Sequence, residues 1–275
     1  MATALVTGGT SGIGAEFARQ LAASGYDLVL VARNPDRLAS AAERLHADSG
    51  INVETISADL SDRADVARVA ARIEDAEHPI DLLVNNAGEG FRTALASADV
   101  AAHEHAFDVM CRAVLVLGGA AARAMSGRRG TIINISSLQT YLATGAYAAN
   151  KAWVTAYSQS LAVELRGTAI GVTVVLPGWV RTEWHERAGV RRSSLPGFLW
   201  TQPEAVVRIA LRDARRGKVV CIPTVRYRVL GWFARHLPNA AVRRISAGIS
   251  SGRDEASPSD SAGGAESSAM KADTA

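Results

Sequence analysis

Short apolar runs alternate along this chain with stretches whose apolar residues recur every three or four positions. The runs at 2–6, 27–32, 53–58, 80–84, 131–135, 172–176 and 218–222 have the length and composition of strands. Between them, Ile13, Phe17 and Leu21 share one helical face, and so do Val66, Val69 and Ile73. Asn34-Pro35-Asp36 reads as a helix cap, a first-turn proline and a first-turn acid, and Ser61 as the cap of the next helix. Further helices are expected over 98–125, 147–166 and 203–216. An unbroken apolar run such as 27–32 suits a strand buried on both faces, which implies a parallel sheet with helices on each side. The chain is therefore expected to be α/β, a doubly wound parallel sheet with right-handed crossovers in a single domain. No repeat of solenoid period interrupts the pattern.

At 275 residues, with 48% hydrophobic residues and 24 glycines, the chain suits a packed domain with many tight turns. Its longest apolar runs are strand-sized, well short of a membrane span. Met1 leads straight into the first strand, so no signal peptide is expected. Cys111 and Cys221 sit among apolar neighbours without metal-ligand spacing. They read as free buried thiols of a cytoplasmic protein, and no metal site is expected. The net charge of +3 is uneven: 252–275 contributes −3, leaving the first 251 residues at +6. Arginines crowd the stretch 181–244, yet no aromatic-and-basic nucleic-acid motif accompanies them. An acidic small molecule or an anionic membrane surface accounts for the excess better than nucleic acid does.

Thr7-Gly8-Gly9-Thr10-Ser11-Gly12-Ile13-Gly14 lies between the first strand and the first helix. Glycines there permit a tight turn and close backbone approach to a diphosphate seated on the helix N-terminus, which points to a dinucleotide. At the end of the second strand an acid would bind a ribose 2′-hydroxyl, but Ala32-Arg33-Asn34 offers a guanidinium instead. That favours the 2′-phosphate of NADP. Asp59 ends the third strand, where a carboxylate can meet the adenine amino group, and Asn85-Asn86-Ala87-Gly88 ends the fourth.

Tyr147 and Lys151 stand one turn apart on a helix, so phenol and ammonium can enter one site. A free phenol, with a pKa of about 10, is a poor acid or base at neutral pH. A neighbouring cation favours the phenolate, so Lys151 is expected to bring that pKa down. Such a pair is suited to moving a proton on or off a carbinol oxygen.

In this order, Thr7-Gly8-x-x-x-Gly12-x-Gly14, Asn85-Asn86-Ala87-Gly88, Ser137, Tyr147-x-x-x-Lys151 and Pro177-Gly178-x-Val180-x-Thr182 resemble the short-chain dehydrogenase/reductase family over about residues 2 to 223. The resemblance implies a Rossmann-type domain and redox chemistry at a carbonyl or alcohol carbon. It implies Tyr147 as the acid/base, Lys151 as the group that lowers its pKa and holds the nicotinamide ribose, and Ser137 as the hydrogen-bond partner of the substrate oxygen. The cofactor contacts are then Gly8, Thr10, Ser11, Gly12, Ile13, Gly14, Arg33, Asp59, Asn86, Ala87, Gly88, Tyr147, Lys151, Pro177, Val180 and Thr182. Of these, Thr182 and the backbone at Val180 hold the carboxamide end. Family members usually pair their fourth and fifth helices between subunits, which implies a homodimer or homotetramer.

The chain departs from the family twice. Met110 stands where the family usually has an asparagine that holds a water in a proton relay to the lysine, and a thioether cannot donate. Ser137 also lies ten residues before Tyr147, closer than usual, so Ser136 remains a candidate for the working serine. Beyond Thr182, Trp184, His185, Leu195, Phe198 and Trp200 read as a substrate lid suited to an apolar or acyl-chain compound, with His185 on its rim. The catalytic domain is placed at 1–224 and a basic amphipathic extension at 225–251. The extension carries Arg226, Arg228, Trp232, Phe233, Arg235, Arg243 and Arg244, suited to an anionic bilayer surface or to packing on the lid or a second subunit. Residues 252–275 hold almost no large apolar residue and are expected to be disordered. Two functions fit these residues. One is an NADPH-dependent reductase for an apolar ketone, 3-oxoacyl or steroid-like; the other, motivated by Met110, is a non-catalytic dinucleotide sensor.

Overall fold

The computed structural model describes residues 1–90, 93–181 and 197–254. The strands are β1 (Thr3–Thr7), β2 (Asp27–Ala32), β3 (Val53–Ser57), β4 (Leu82–Asn85), β5 (Gly130–Ile135), β6 (Ile170–Val175) and β7 (Val220–Cys221). All pair in parallel in one sheet of order β3-β2-β1-β4-β5-β6-β7. The order reverses between β1 and β4, and this opens a crevice at the carboxyl ends of those two strands. The expected α/β architecture, a doubly wound parallel sheet, is the one observed.

The helices are α1 (Gly12–Ala22), α2 (Pro35–Ser49), α3 (Arg63–Ile73), α4 (Val100–Phe107), α5 (Ala113–Ala124), α6 (Ala146–Glu164), α7 (Pro203–Arg215), α8 (Val225–His236) and α9 (Asn239–Asp254). Side chains alternate across each strand, so the apolar runs serve two cores at once. Val6, Leu28 and Leu30 pack with Phe17 of α1, Leu38 of α2 and Val207 of α7. Leu5, Val29 and Val31 pack on the opposite side with Val69 of α3, Leu117 of α5 and Leu161 of α6. The edge strand β3 keeps one face in solvent and buries only Ile56 within the strand.

Three local readings change. Asn34 does cap α2, accepting from the Arg37 N–H at 2.9 Å, but Asp62 rather than Ser61 caps α3. The Ser61 N–H and hydroxyl both donate to Asp59, which takes its side chain away from the helix. The region 98–125 is not uniform α-helix either: Asp108–Arg112 is a π-helical segment between α4 and α5. By length and hydropathy the run Val100–Ala124 is apolar enough to cross a membrane, yet over half of its most apolar window is buried inside the protein. It is the core helix that covers β4 and β5. The tail reading, 252–275, changes at its start, since α9 runs to Asp254; the remainder lies outside the described residues.

Helix α8 packs over a short 3-10 turn, Leu138–Tyr141, at the carboxyl end of β5. Tyr227 is its anchor. The phenol donates to the Leu199 carbonyl and accepts from the Trp179 N–H at 3.0 Å, while its ring lies flat on Gly178. A Cβ at 178 would overlap that ring. Gly178→Ala should therefore displace Tyr227 and with it α8, at about 1–3 kcal/mol for overpacking a filled site. Urea unfolding monitored by circular dichroism measures this, and an unchanged midpoint would show that α8 is not held by this contact.

Candidate active site

The loop after β1 is shaped by Thr7. Its hydroxyl donates to the Val84 carbonyl and accepts from the N–H groups of Asn86 and Ala87 at 2.9 and 3.0 Å, locking the ends of β1 and β4 together. The Asn86 amide donates to the Thr7 carbonyl at 2.9 Å. Gly8 and Gly12 adopt φ of +66° and +55°, left-handed values that a side chain disfavours. Gly14 meets a different limit, because a Cβ there would overlap the Gly8 carbonyl and the Asn86 amide. Ser11, at the start of α1, spends no side-chain hydrogen bond on capping it. A glycine turn that leaves backbone uncovered at a helix N-terminus fits the diphosphate of a dinucleotide.

The second half of the site rests on α6. Ser136 and Ser137 follow β5 and make different contacts. The Ser136 hydroxyl donates to the Lys151 carbonyl at 2.7 Å and pairs with Thr155 Oγ1 at 2.8 Å, buried in the seam between β5 and α6. Ser137 shares a hydrogen bond with the Tyr147 phenol. Of the two serines left open by the spacing, Ser137 is the one beside the tyrosine. One turn along α6, the Lys151 ammonium lies 5.7 Å from the Tyr147 ring centroid and donates to the Ile135 carbonyl at 2.9 Å.

The electrostatics differ from expectation. Burial pushes the Tyr147 phenol up to about 12, and the Ser137 hydrogen bond only partly offsets this. The same burial pulls the Lys151 ammonium down to about 8. Desolvation thus works against the expected lowering by Lys151, since it penalises both charged forms, and the ammonium is engaged by the Ile135 carbonyl. Met110 is fully buried in the π-helical segment, packed with Cys111, Tyr147 and Trp153. It fills with apolar volume the place where the family usually has asparagine.

One cavity of about 530 Å³ gathers Gly8, Ser11, Gly12, Ile13, Asn86, Ala87, Gly88, Ser137, Tyr147, Lys151, Pro177 and Val180. Thr10, Gly14, Arg33 and Asp59 are not in its lining. Arg33 is exposed beyond the end of β2. Partial burial would raise the Asp59 carboxyl, but hydrogen bonds from Ser61 and the nearby Arg33 and His105 outweigh it and hold it low. Thr182 and the lid residues Trp184, His185 and Leu195 lie outside the described residues, as does the side chain of Phe198, and with them the reading as a lid. Trp200 packs on Trp179 at 6.1 Å between ring centroids.

Sequence reading missed three groups. Arg37 donates to the Thr10 carbonyl at 3.3 Å, a second guanidinium beside the glycine loop. Asn134 bridges β4 and α6, accepting from Asn85 and donating to Ser158, both at 2.9 Å. A polar residue inside the run Ile132-Ile133-Asn134-Ile135 was the available signal. The third group is the apolar wall: Leu230, Phe233, Leu237, Val242 and Ile245 of the C-terminal helices face Leu138 and Leu142 across the cavity.

With its pKa near 8 instead of 10.5, Lys151 sheds its proton in the folded chain while the unfolded chain still holds it. Stability should then rise with pH across that window, by up to about 3 kcal/mol relative to Lys151→Met. Urea unfolding of both proteins from pH 7 to 10 gives the difference. If it does not change with pH, the folded amine is not destabilised by burial.

Three comparisons meet at this geometry. A family profile for short chain dehydrogenase matches residues 2–192. The very-long-chain 3-oxoacyl-CoA reductase of Anas platyrhynchos is 31% identical over 262 residues, 89% of this chain and 78% of that protein. Among solved structures, a short-chain dehydrogenase from Sphingobium yanoikuyae in complex with NADPH is 34% identical with a TM-score of 0.76, covering 97% of this chain and 99% of that one. The bulky-bulky ketone specific alcohol dehydrogenase from Comamonas testosteroni is 30% identical with a TM-score of 0.73, covering 87% and 96%. A glycine turn at the sheet's switch point, a serine bonded to a tyrosine and a lysine one turn on are thus found in a chain that belongs to the short chain dehydrogenase family of oxidoreductases, which bind a nicotinamide dinucleotide.

Proposed function

We propose that the protein reduces an apolar ketone, 3-oxoacyl or steroid-like, to a secondary alcohol with NADPH. The observation that carries this reading is the hydrogen-bonded Ser137–Tyr147 pair in a cavity that is walled by aliphatic and aromatic side chains on its far side. A bound reduced nicotinamide supplies the hydride. Tyr147, with a pKa near 12, is protonated throughout the neutral range and donates to the carbonyl oxygen as charge develops there. Ser137, hydrogen-bonded to that phenol, would turn its hydroxyl to the same oxygen. Lys151 lies one turn away on the same helix face, its ammonium 5.7 Å from the Tyr147 ring centroid and positioned by the Ile135 carbonyl. The intact trio supports an enzyme over a sensor, and Met110 leaves all three in place.

Two guanidiniums support NADPH over NADH: Arg33 past the end of β2, and Arg37, which reaches back to Thr10 in the glycine loop. The Sphingobium yanoikuyae relative is described with NADPH, and the Anas platyrhynchos relative is named for a long-chain 3-oxoacyl substrate. Members of the family are commonly oligomeric. Half-exposed Phe107 and Leu115, beside Trp153 on α6, offer an apolar face for a second copy.

Tyr147→Phe should lower kcat by about 10²–10⁴-fold on a ketone the wild type reduces, with binding of NADPH nearly unchanged. Retention of most of the turnover would remove Tyr147 as the acid. On cofactor choice, kcat/KM should favour NADPH, and Arg33→Asp combined with Arg37→Ala should reverse the preference. A wild type that uses NADH equally well would contradict the assignment of both arginines.

A further inference from the structure

Helix α8 is apolar on two opposite faces. Tyr227 and Gly231 turn inward and are buried against the body of the protein. On the other side Val225, Val229 and Trp232, spaced at i, i+4 and i+7, form a stripe that is 70, 50 and 57% exposed. Phe233 and Leu230, each about half exposed, join this stripe to the cavity, whose mouth they line. Trp232 packs edge-on against Phe233 with ring centroids 5.1 Å apart, and His236 stacks on Trp232 at 4.6 Å. The stripe is therefore one continuous patch and not scattered surface residues. A patch of this kind on a charged helix marks an interaction site.

Charge identifies the occupant. From Ala214 to Arg253 the chain contains no aspartate or glutamate and nine lysines and arginines. Arg228 and Arg235 flank the stripe on one side and Arg226 on the other, and exposed Arg243 and Arg244 extend the basic field onto α9. A protein interface of mixed character would carry both signs. Aromatic and aliphatic side chains ringed only by cations fit the headgroup region of an anionic bilayer, where tryptophan and phenylalanine enter the acyl boundary and arginines meet the phosphates.

We propose that the outer face of α8, with the start of α9, docks on an anionic lipid surface and presents the cavity mouth at Leu230 and Phe233 to the bilayer. The docking stands on this geometry alone; the further consequence, entry of an apolar substrate from the lipid, rests on the function proposed above.

The test is flotation of the full chain with vesicles of phosphatidylcholine, with and without about 30% phosphatidylglycerol, at low and high salt. Wild type should bind the anionic vesicles at least about tenfold more tightly than the neutral ones and be released by salt. Trp232→Asp should lose binding through the stripe, and Arg235→Glu/Arg243→Glu through the charge. Both variants should keep wild-type melting temperature and turnover on a short, water-soluble ketone, a readout that separates failed docking from failed chemistry. Equal binding to both vesicles, or full binding by Trp232→Asp, overturns the proposal. So does binding that emerges only when the acidic segment 255–275 is removed, which would make that segment the occupant. Loss of self-association in Trp232→Asp without vesicle binding by wild type would assign the face to a second copy instead.

Discussion

The site depends on how α6 is pinned to the end of β5. A helix lying on a sheet through apolar contacts alone can slide, since such contacts carry little direction. Here buried hydrogen bonds remove that freedom. Asn134 ties β5 to Asn85 on β4 and to Ser158 on α6, and Ser136 holds the Lys151 carbonyl. Each such bond is worth only about 1 kcal/mol net, but breaking one leaves a buried polar group unpaired at about 1–3 kcal/mol. The register of α6 is therefore sharply specified. That register sets Tyr147 beside Ser137 and the Lys151 ammonium at the Ile135 carbonyl.

Desolvation governs the chemistry that follows. The same packing buries Lys151 and part of Tyr147, so the phenol keeps its proton more tightly and the ammonium less tightly than either would in solution. The phenol is bonded to Ser137 and the ammonium to the Ile135 carbonyl, with the ammonium 5.7 Å from the Tyr147 ring centroid.

The C-terminal helices join the two ends of the molecule's behaviour. Tyr227, laid on Gly178, brings α8 against the 3-10 turn beside Ser137, so that residues far along the chain complete the wall of a cavity begun at β1. The acid-free composition of this region has no role in the core, where charge is excluded. Its cations are displayed outward, around side chains that the fold leaves uncovered.

Much of this was legible in the residues. Apolar periodicity alone determined the alternating parallel architecture, since a strand read as unbroken apolar needs cover on both faces, and the glycine spacing after β1 marked the dinucleotide loop. The i, i+4 placement of Tyr147 and Lys151 likewise needs nothing beyond helical geometry. What tertiary structure decided are the matters of distance and dielectric. Ser136 and Ser137 are chemically identical and adjacent, and only the packing of α6 assigns one to the seam and the other to the tyrosine. The direction of the pKa shifts followed burial, which no local pattern encodes. Arg37 became a neighbour of Thr10, and α8 a wall of the cavity, through contacts between residues remote in the chain. Local sequence carries the periodicity of each element, but the energy of a charge or a hydroxyl is set by whatever the rest of the fold brings within a few ångströms of it.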